Sequence, residues 1–305
     1  WFGIGVIALL TSRNHIIKIV KGVLTRRENS SLYYLAVFGM IFGTGLMVLF
    51  WYQAGLSPWV AITYFLIYFV ICIGMTRMRA ELGPPTHELH GAHPDRLMAG
   101  FLGTRAIGPA NLTNTTLLSW LAYGYRCHPM PHQLEGFKIG SYFDVRYRRL
   151  IISMIVASIV GAFLSILLHV SLYHRFQFAR WGVGEFNHLR NQILFPKEAN
   201  LEAMQHVGIG FVITAVLTIL KRRFIWWPFY PAGYAVSKGW AMTWMWFSIL
   251  LGWLAKRLMF ATGGVKYYRI MLPLFLGFIF GQFSAGSLWS LIAIITGKNM
   301  YTMFP

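Results

Sequence analysis

The feature that most constrains this chain is a succession of uncharged apolar runs, each long enough to cross a bilayer. A helix rises 1.5 Å per residue, so roughly 20 apolar residues cover a hydrocarbon core of about 30 Å. Only 12% of the 305 residues are charged and 56% are hydrophobic, against about 25% charged in soluble domains. The chain therefore reads as all-α, a polytopic bundle of transmembrane helices.

The formal charge of +18 raises nucleic acid as a partner, but the Lys and Arg residues cluster in short segments beside the apolar runs. That is the pattern of the positive-inside rule and of attraction to anionic lipid. With no basic soluble domain to carry it, nucleic-acid binding is excluded and membrane lipid is the expected partner. Cys72 lies in an apolar run and Cys127 in a loop, so no disulfide is expected.

In order, residues 1–11 are apolar but too short to span alone and read as the tail of a helix whose beginning is missing. A single transmembrane domain over 1–305, part of a longer protein, is the expectation. Arg13, Lys18, Lys21, Arg26 and Arg27 then alternate with Ile16, Ile17, Val20, Val23 and Leu24, which predicts a short interfacial helix. Residues 32–55 form a span in which Gly39, Gly43 and Gly45 permit close helix contact or are simply tolerated. A second span from Pro58 ends near Met75 and exits through Arg77 and Arg79.

Residues 76–140 hold a polar loop and a broken membrane segment. Its centre, 97–125, is apolar but interrupted by Arg105, Gly108, Pro109 and the run NLTNTT at 111–116, with basic residues on both flanks. Proline removes a backbone donor, and a re-entrant hairpin or broken helix that enters and leaves on one face fits best. Residues 150–173 make a clean span, 174–206 an extramembrane loop with short helices around FNHLRNQIL and KEANLEAMQ, and 207–220 a span stopped by Lys221, Arg222 and Arg223. WWPFYPAGYAVSKG predicts an interfacial belt or second broken element. Residues 240–254, ended by Lys256 and Arg257, and 270–296, with Pro273, follow. The total is about six full spans plus one or two broken or re-entrant segments.

Two constellations could carry chemistry. His87, His90 and His93 recur every third residue, and Cys127, His128 and His132 follow the broken segment. Imidazole and thiolate suit zinc, copper or nickel, yet Pro84, Pro85, Gly91 and Pro94 break any single helix that would align the first three, and exposed or capping loop histidines are the plainer reading. The second constellation is Asn111, Thr113, Asn114, Thr115 and Thr116, whose polar groups must find partners in hydrocarbon. They either bond to neighbouring helices and free carbonyls or line a cavity that binds a small polar solute. Arg105 strengthens the second alternative, since a charge at membrane depth usually faces a partner or a cavity; Glu81 is a candidate partner for Arg77, Arg79 or Arg105. No GxSxG, HExxH, P-loop or dinucleotide-binding pattern is present, so no enzymatic role is expected, and no cofactor is indicated.

The stretches RMRAELGPP at 77–85, WWPFYPAGYA at 226–235 and GGVKYYR with the later Pro273 and Gly277 carry a family resemblance. Together they resemble the C-terminal part of an uncharacterised family of large prokaryotic multi-pass membrane proteins, known by domain-of-unknown-function names and distantly similar to oligopeptide transporters. The resemblance implies a prokaryotic cytoplasmic (inner) membrane and a transporter-like role, with a peptide or metal chelate as cargo; it supplies no site residues. The alternative is a non-catalytic structural or anchoring subunit, partnered by other membrane subunits or further copies of the chain.

Overall fold

The computed structural model describes residues 1–25, 31–83, 89, 91–126, 128–176, 182–237 and 239–297. The expectations resting on Arg26, Arg27, Pro84, Pro85, His87, His90 and Cys127 lie outside the described residues. Among the described residues thirteen helices follow in order: α1 Phe2–Leu24, α2 Ser31–Gln53, α3 Pro58–Leu82, α4 Pro94–Leu102, α5 Thr104–Ile107, α6 Pro109–Leu117, α7 Ser119–Ala122, α8 Met130–Tyr142, α9 Tyr147–Phe176, α10 Gly182–Leu194, α11 Leu201–Arg223, α12 Pro231–Val236 and α13 Trp240–Thr296. No β-strand occurs among the described residues; a lone bridge joins Leu89 to Gly124. Among the described residues six helices (α1, α2, α3, α9, α11 and α13) are long and apolar enough to cross a membrane. The protein is an all-α, multi-pass integral membrane protein.

The helices fall into two compact units, Trp1–Trp240 and Ala241–Pro305. In the first, α3 is the central post. Its span window is 61% buried, against 0% for α9 and 6% for α2 and α11. Pro58 opens it at a position where the missing N–H costs nothing, and Gly83, at φ 68°, closes it in the left-handed conformation that glycine adopts freely. Val60, Tyr64, Phe65, Ile71, Cys72 and Met75 on its flanks are almost wholly enclosed.

The contact of α1 with α3 depends on two glycines. A Cβ on Gly74 would stand 2.7 Å from the Trp1 carbonyl oxygen, and one on Gly5 would collide with the Val70 carbonyl. Small residues let helix backbones approach closely in lipid. By contrast no described residue of this chain comes near the position of a Cβ at Gly39, Gly43 or Gly45, so among the described residues these glycines make no close helix contact.

Three expectations about boundaries are corrected. The first 24 residues are one helix and not a short tail followed by an interfacial helix, because Arg13, Lys18 and Lys21 interrupt neither the backbone ladder nor the burial of Val23. KEANLEAMQ is not a separate helix: Asn200 caps α11 by accepting from the Ala203 N–H at 3.0 Å, and residues from Leu201 on belong to the span. In the second unit, Lys256 and Arg257 do not end a helix. The long α13 is interrupted instead at Gly264 (φ 60°, ψ −152°), leaving limbs 240–263 and 265–296, each longer than the about 20 residues a span needs.

Candidate functional site

The segment between α3 and α9 is a broken hairpin laid along α3. Gly103 and Gly108, both near φ 80° and ψ 150°, cut it into short helices, and Pro109 restarts the chain at the first position of α6. From α6 onward the chain climbs α3 in parallel. Near the start of α3 the Ser57 N–H donates to Asn111 Oδ1 at 2.8 Å. One to two turns on, the Tyr64 hydroxyl donates to the Leu118 carbonyl at 3.0 Å. The Tyr68 ring then stacks on Tyr125 at 5.6 Å and meets the edge of His128 at 6.1 Å. At the far end Arg79 grips Glu135 of α8 with two bonds, 2.6 and 2.8 Å. The outward limb is tied to the return limb by Leu89 N–H to the Gly124 carbonyl and by the Tyr125 hydroxyl to the Ala92 carbonyl, at 2.9 and 2.8 Å.

The hairpin tip meets the chain that leads into α11. Lys197 N–H donates to Thr104 Oγ1 at 2.7 Å, Asn200 N–H to the Gly100 carbonyl at 2.8 Å, and Arg105 to Glu198 at 2.9 Å. Gly103 has φ 81° and sits against the backbone of 197–199, where a Cβ would stand 2.8 Å from three main-chain atoms. Arg105 is thus paired with Glu198 in an exposed ion pair, 69% and 80% accessible. Glu81, the partner the sequence offered, pairs with Arg77 one turn earlier on α3.

The polar run is largely satisfied by its own helix. Asn111 Nδ2 donates to the Ile107 carbonyl at 2.8 Å while its Oδ1 takes the Ser57 N–H. Thr113, Asn114, Thr115 and Thr116 donate to the carbonyls of Pro109, Ala110, Asn111 and Leu112. Asn114 and Thr115 are buried; the other three are half-buried.

Of the histidines, His93 and His128 are buried and His132 stands 3.4 Å from the Arg79 guanidinium. His93 Nδ1 lies 4.0 Å from Asp95. Burial pushes the Asp95 carboxyl up to about 6, helped by Glu185 and opposed by Arg96. Among the described residues no three His, Cys, Asp or Glu side chains gather into a metal site.

Two features were not legible in the sequence. Arg79, only 4% exposed, reads there as part of the basic exit of a span with Glu81 as candidate partner, whereas its partner Glu135 lies 56 residues away. The other is a polar cavity of about 200 Å³ between α1, α3, α11 and α12, lined by Thr11, Ser12, Arg77, Glu81, Lys221, Arg222 and Tyr230. It joins RMRAE on α3 to FYPA before and within α12, stretches about 150 residues apart that only the fold brings together. A larger cavity of about 910 Å³ beside α2 and α3 is walled almost entirely by apolar side chains, among them Ile41, Leu49, Ile62 and Phe69. Neither cavity is lined by Arg105 or by residues 111–116.

No curated protein and no solved structure matches the chain. A family model covering residues 1–305 does match. A multi-pass membrane protein over its described residues, the chain belongs to the family of unknown function DUF6785.

Proposed function

We propose that this protein is a transporter-like membrane protein, without enzymatic activity, that moves a small polar solute such as a peptide or a metal chelate. The observation that carries the reading is the discontinuous hairpin, which accompanies α3 from Ser57 to Arg79. Irregular backbone at membrane depth is tolerated where it is buried in protein or lines a cavity, and broken helices frame the solute sites of many secondary transporters. Arg105 and the residues Asn111, Thr113, Asn114, Thr115 and Thr116 at the tip supply the polar contacts in this reading. Their present partners are mostly carbonyls of their own helix and one exposed carboxylate, bonds that a solute with matching donors and acceptors could replace. The host is the cytoplasmic membrane of a prokaryote. The strongly basic ends, with Arg77 and Arg79 on α3 and Lys221, Arg222 and Arg223 on α11, face the cytoplasm by the positive-inside rule.

The test is uptake by proteoliposomes holding the full chain, with a radiolabelled tripeptide mixture and a zinc–histidine chelate as probes. Accumulation above that of empty liposomes, lost in Asn114→Leu, is the expected result. Folded, correctly inserted protein that moves neither probe would overturn the reading.

One observation favours a second reading, a structural or anchoring subunit. The span window of α9 buries none of its residues, so lipid or another chain, including a second copy of this one, must cover it. A stable stoichiometric complex retained from native membranes, together with no uptake, is the outcome that selects it.

A further inference from the structure

The polar cavity between α1, α3, α11 and α12 carries an inference independent of transport. Three cations, Arg77, Lys221 and Arg222, line it against one carboxylate, Glu81, an excess of two positive charges. Arg77 is held by Glu81. The other two have neutral partners: Arg222 donates to Thr11 Oγ1 at 3.0 Å, and Lys221 reaches the Trp227 carbonyl at 3.4 Å and sits 5.7 Å from the centre of the Tyr230 ring. Among the described residues no carboxylate lies within ion-pair distance of Lys221 or Arg222.

Hydroxyl groups complete the lining. The Thr11 hydroxyl donates to the Ile7 carbonyl at 2.7 Å, Ser12 brings a further hydroxyl donor, and the Tyr230 hydroxyl is pushed up to about 12 by burial, with its hydrogen bond to Glu81 contributing, so it keeps its proton at neutral pH. The cavity lies where α3 and α11 end in basic residues and where Trp226, Trp227 and Phe229 cluster. That is the level at which lipid phosphates meet aromatic belts. A phosphomonoester carries about −1.5 to −2 charges and three strong acceptor oxygens. This matches the surplus charge and the donor set, and arginine forks suit phosphate geometry.

We infer that this cavity is a binding site for a phosphate ester, with Lys221 and Arg222 as the principal cations and the Ser12 hydroxyl as a donor beside them. The phosphate belongs either to an anionic lipid headgroup or to a small soluble phosphoester, and the two sources are separable. The full chain is reconstituted in nanodiscs of phosphatidylcholine alone or of equal parts phosphatidylcholine and phosphatidic acid. In parallel, detergent-solubilised protein is titrated with glycerol 3-phosphate.

A raised thermal midpoint in the first arm only assigns the site to lipid, and one in the second arm assigns it to a soluble ester. In either arm Lys221→Gln/Arg222→Gln should weaken the apparent affinity by about tenfold per cation removed. Lys221→Arg/Arg222→Lys should retain binding, and Lys18→Gln/Lys138→Gln, away from the cavity, should behave as wild type. If the double glutamine variant does not fold, Lys221→Gln alone should still cost about tenfold. The inference is overturned if neither probe stabilises the wild-type protein, or if a folded Lys221→Gln or double glutamine variant responds as the wild type does.

Discussion

At the scale of the residue, the informative side chains are those whose polar groups are enclosed by the fold. Arg79 is 4% exposed while Glu135 is 47% exposed, so the two ends of this ion pair are not equivalent. Glu135→Ala removes the carboxylate that pairs with a buried guanidinium and should lower unfolding stability by about 3 kcal/mol; Arg79→Met leaves a carboxylate that water can reach and should cost less. Denaturation of both variants in the same detergent checks the order. Arg105 is the opposite case. Its exposed pair with Glu198 predicts that Arg105→Ala changes stability by under about 1 kcal/mol, so a loss of solute uptake in that variant would report on the site and not on folding. At Asp95, outside the six spans, burial pushes the carboxyl up to about 6 from an ordinary 3.8. Its folded form therefore prefers the proton: the cost of its charge is fully present above about pH 6 and is relieved as pH falls to about 4. Stability should rise on acidification through that window, by on the order of 3 kcal/mol from this group. Asp95→Asn should be more stable at pH 7 and lose that slope, which thermal melts across pH would show.

At the scale of the element, two devices hold the first unit together. The backbone contact of α1 with α3 requires Gly5 and Gly74; Gly5→Ala should therefore destabilise the protein clearly, whereas Gly39→Ala, in open space, should leave it within about 0.5 kcal/mol of wild type. Paired melting curves decide the matter. The hairpin depends on Asn111, whose amide binds Ser57 at the entry to α3 and Ile107 behind the Pro109 restart. Removing it in Asn111→Ala leaves both groups without that partner and should cost about 1–2 kcal/mol, with faster hydrogen exchange confined to the start of α3 and to α6. The interruption of this segment was legible in the sequence, since Gly108, Pro109 and flanking basic residues on both sides announce a chain that turns back. Its alignment with α3 was not, because the bonds that set it join residues 54 to 56 positions apart.

At the scale of the whole molecule, the bonds of α6 to α8 along α3 set a topology for the unit Trp1–Trp240. The tip, with Arg105 and Glu198, lies by the start of α11, while Glu135 lies by the end of α3. Cysteines placed at Glu198 and at Arg223 should therefore be labelled from opposite faces of sealed vesicles by an impermeant maleimide, and one at Lys138 should follow Arg223. Lys138 and Glu198 labelled from the same face would contradict the re-entrant hairpin. Most large apolar side chains of α2, α9 and α13 are exposed, as expected for helices whose solvent is lipid, where burial inside the protein is not what stabilises a span.

Length, hydropathy and the position of charge are local properties, and they determined by themselves that this chain is helical, that it crosses a membrane about six times, and that the segment around Gly108 is broken. They did so because the bilayer acts on each segment separately, asking only for enough apolar residues with their backbone bonds closed. Which polar groups meet was decided only by the tertiary structure. Arg79 with Glu135, Asn111 with Ser57, and Arg77 with Lys221, Arg222 and Tyr230 around one cavity are pairings between distant segments. In lipid such pairings come from close helix packing, which depends on where single glycines let two backbones touch, and no periodicity along one strand of sequence records which helix lies beside it.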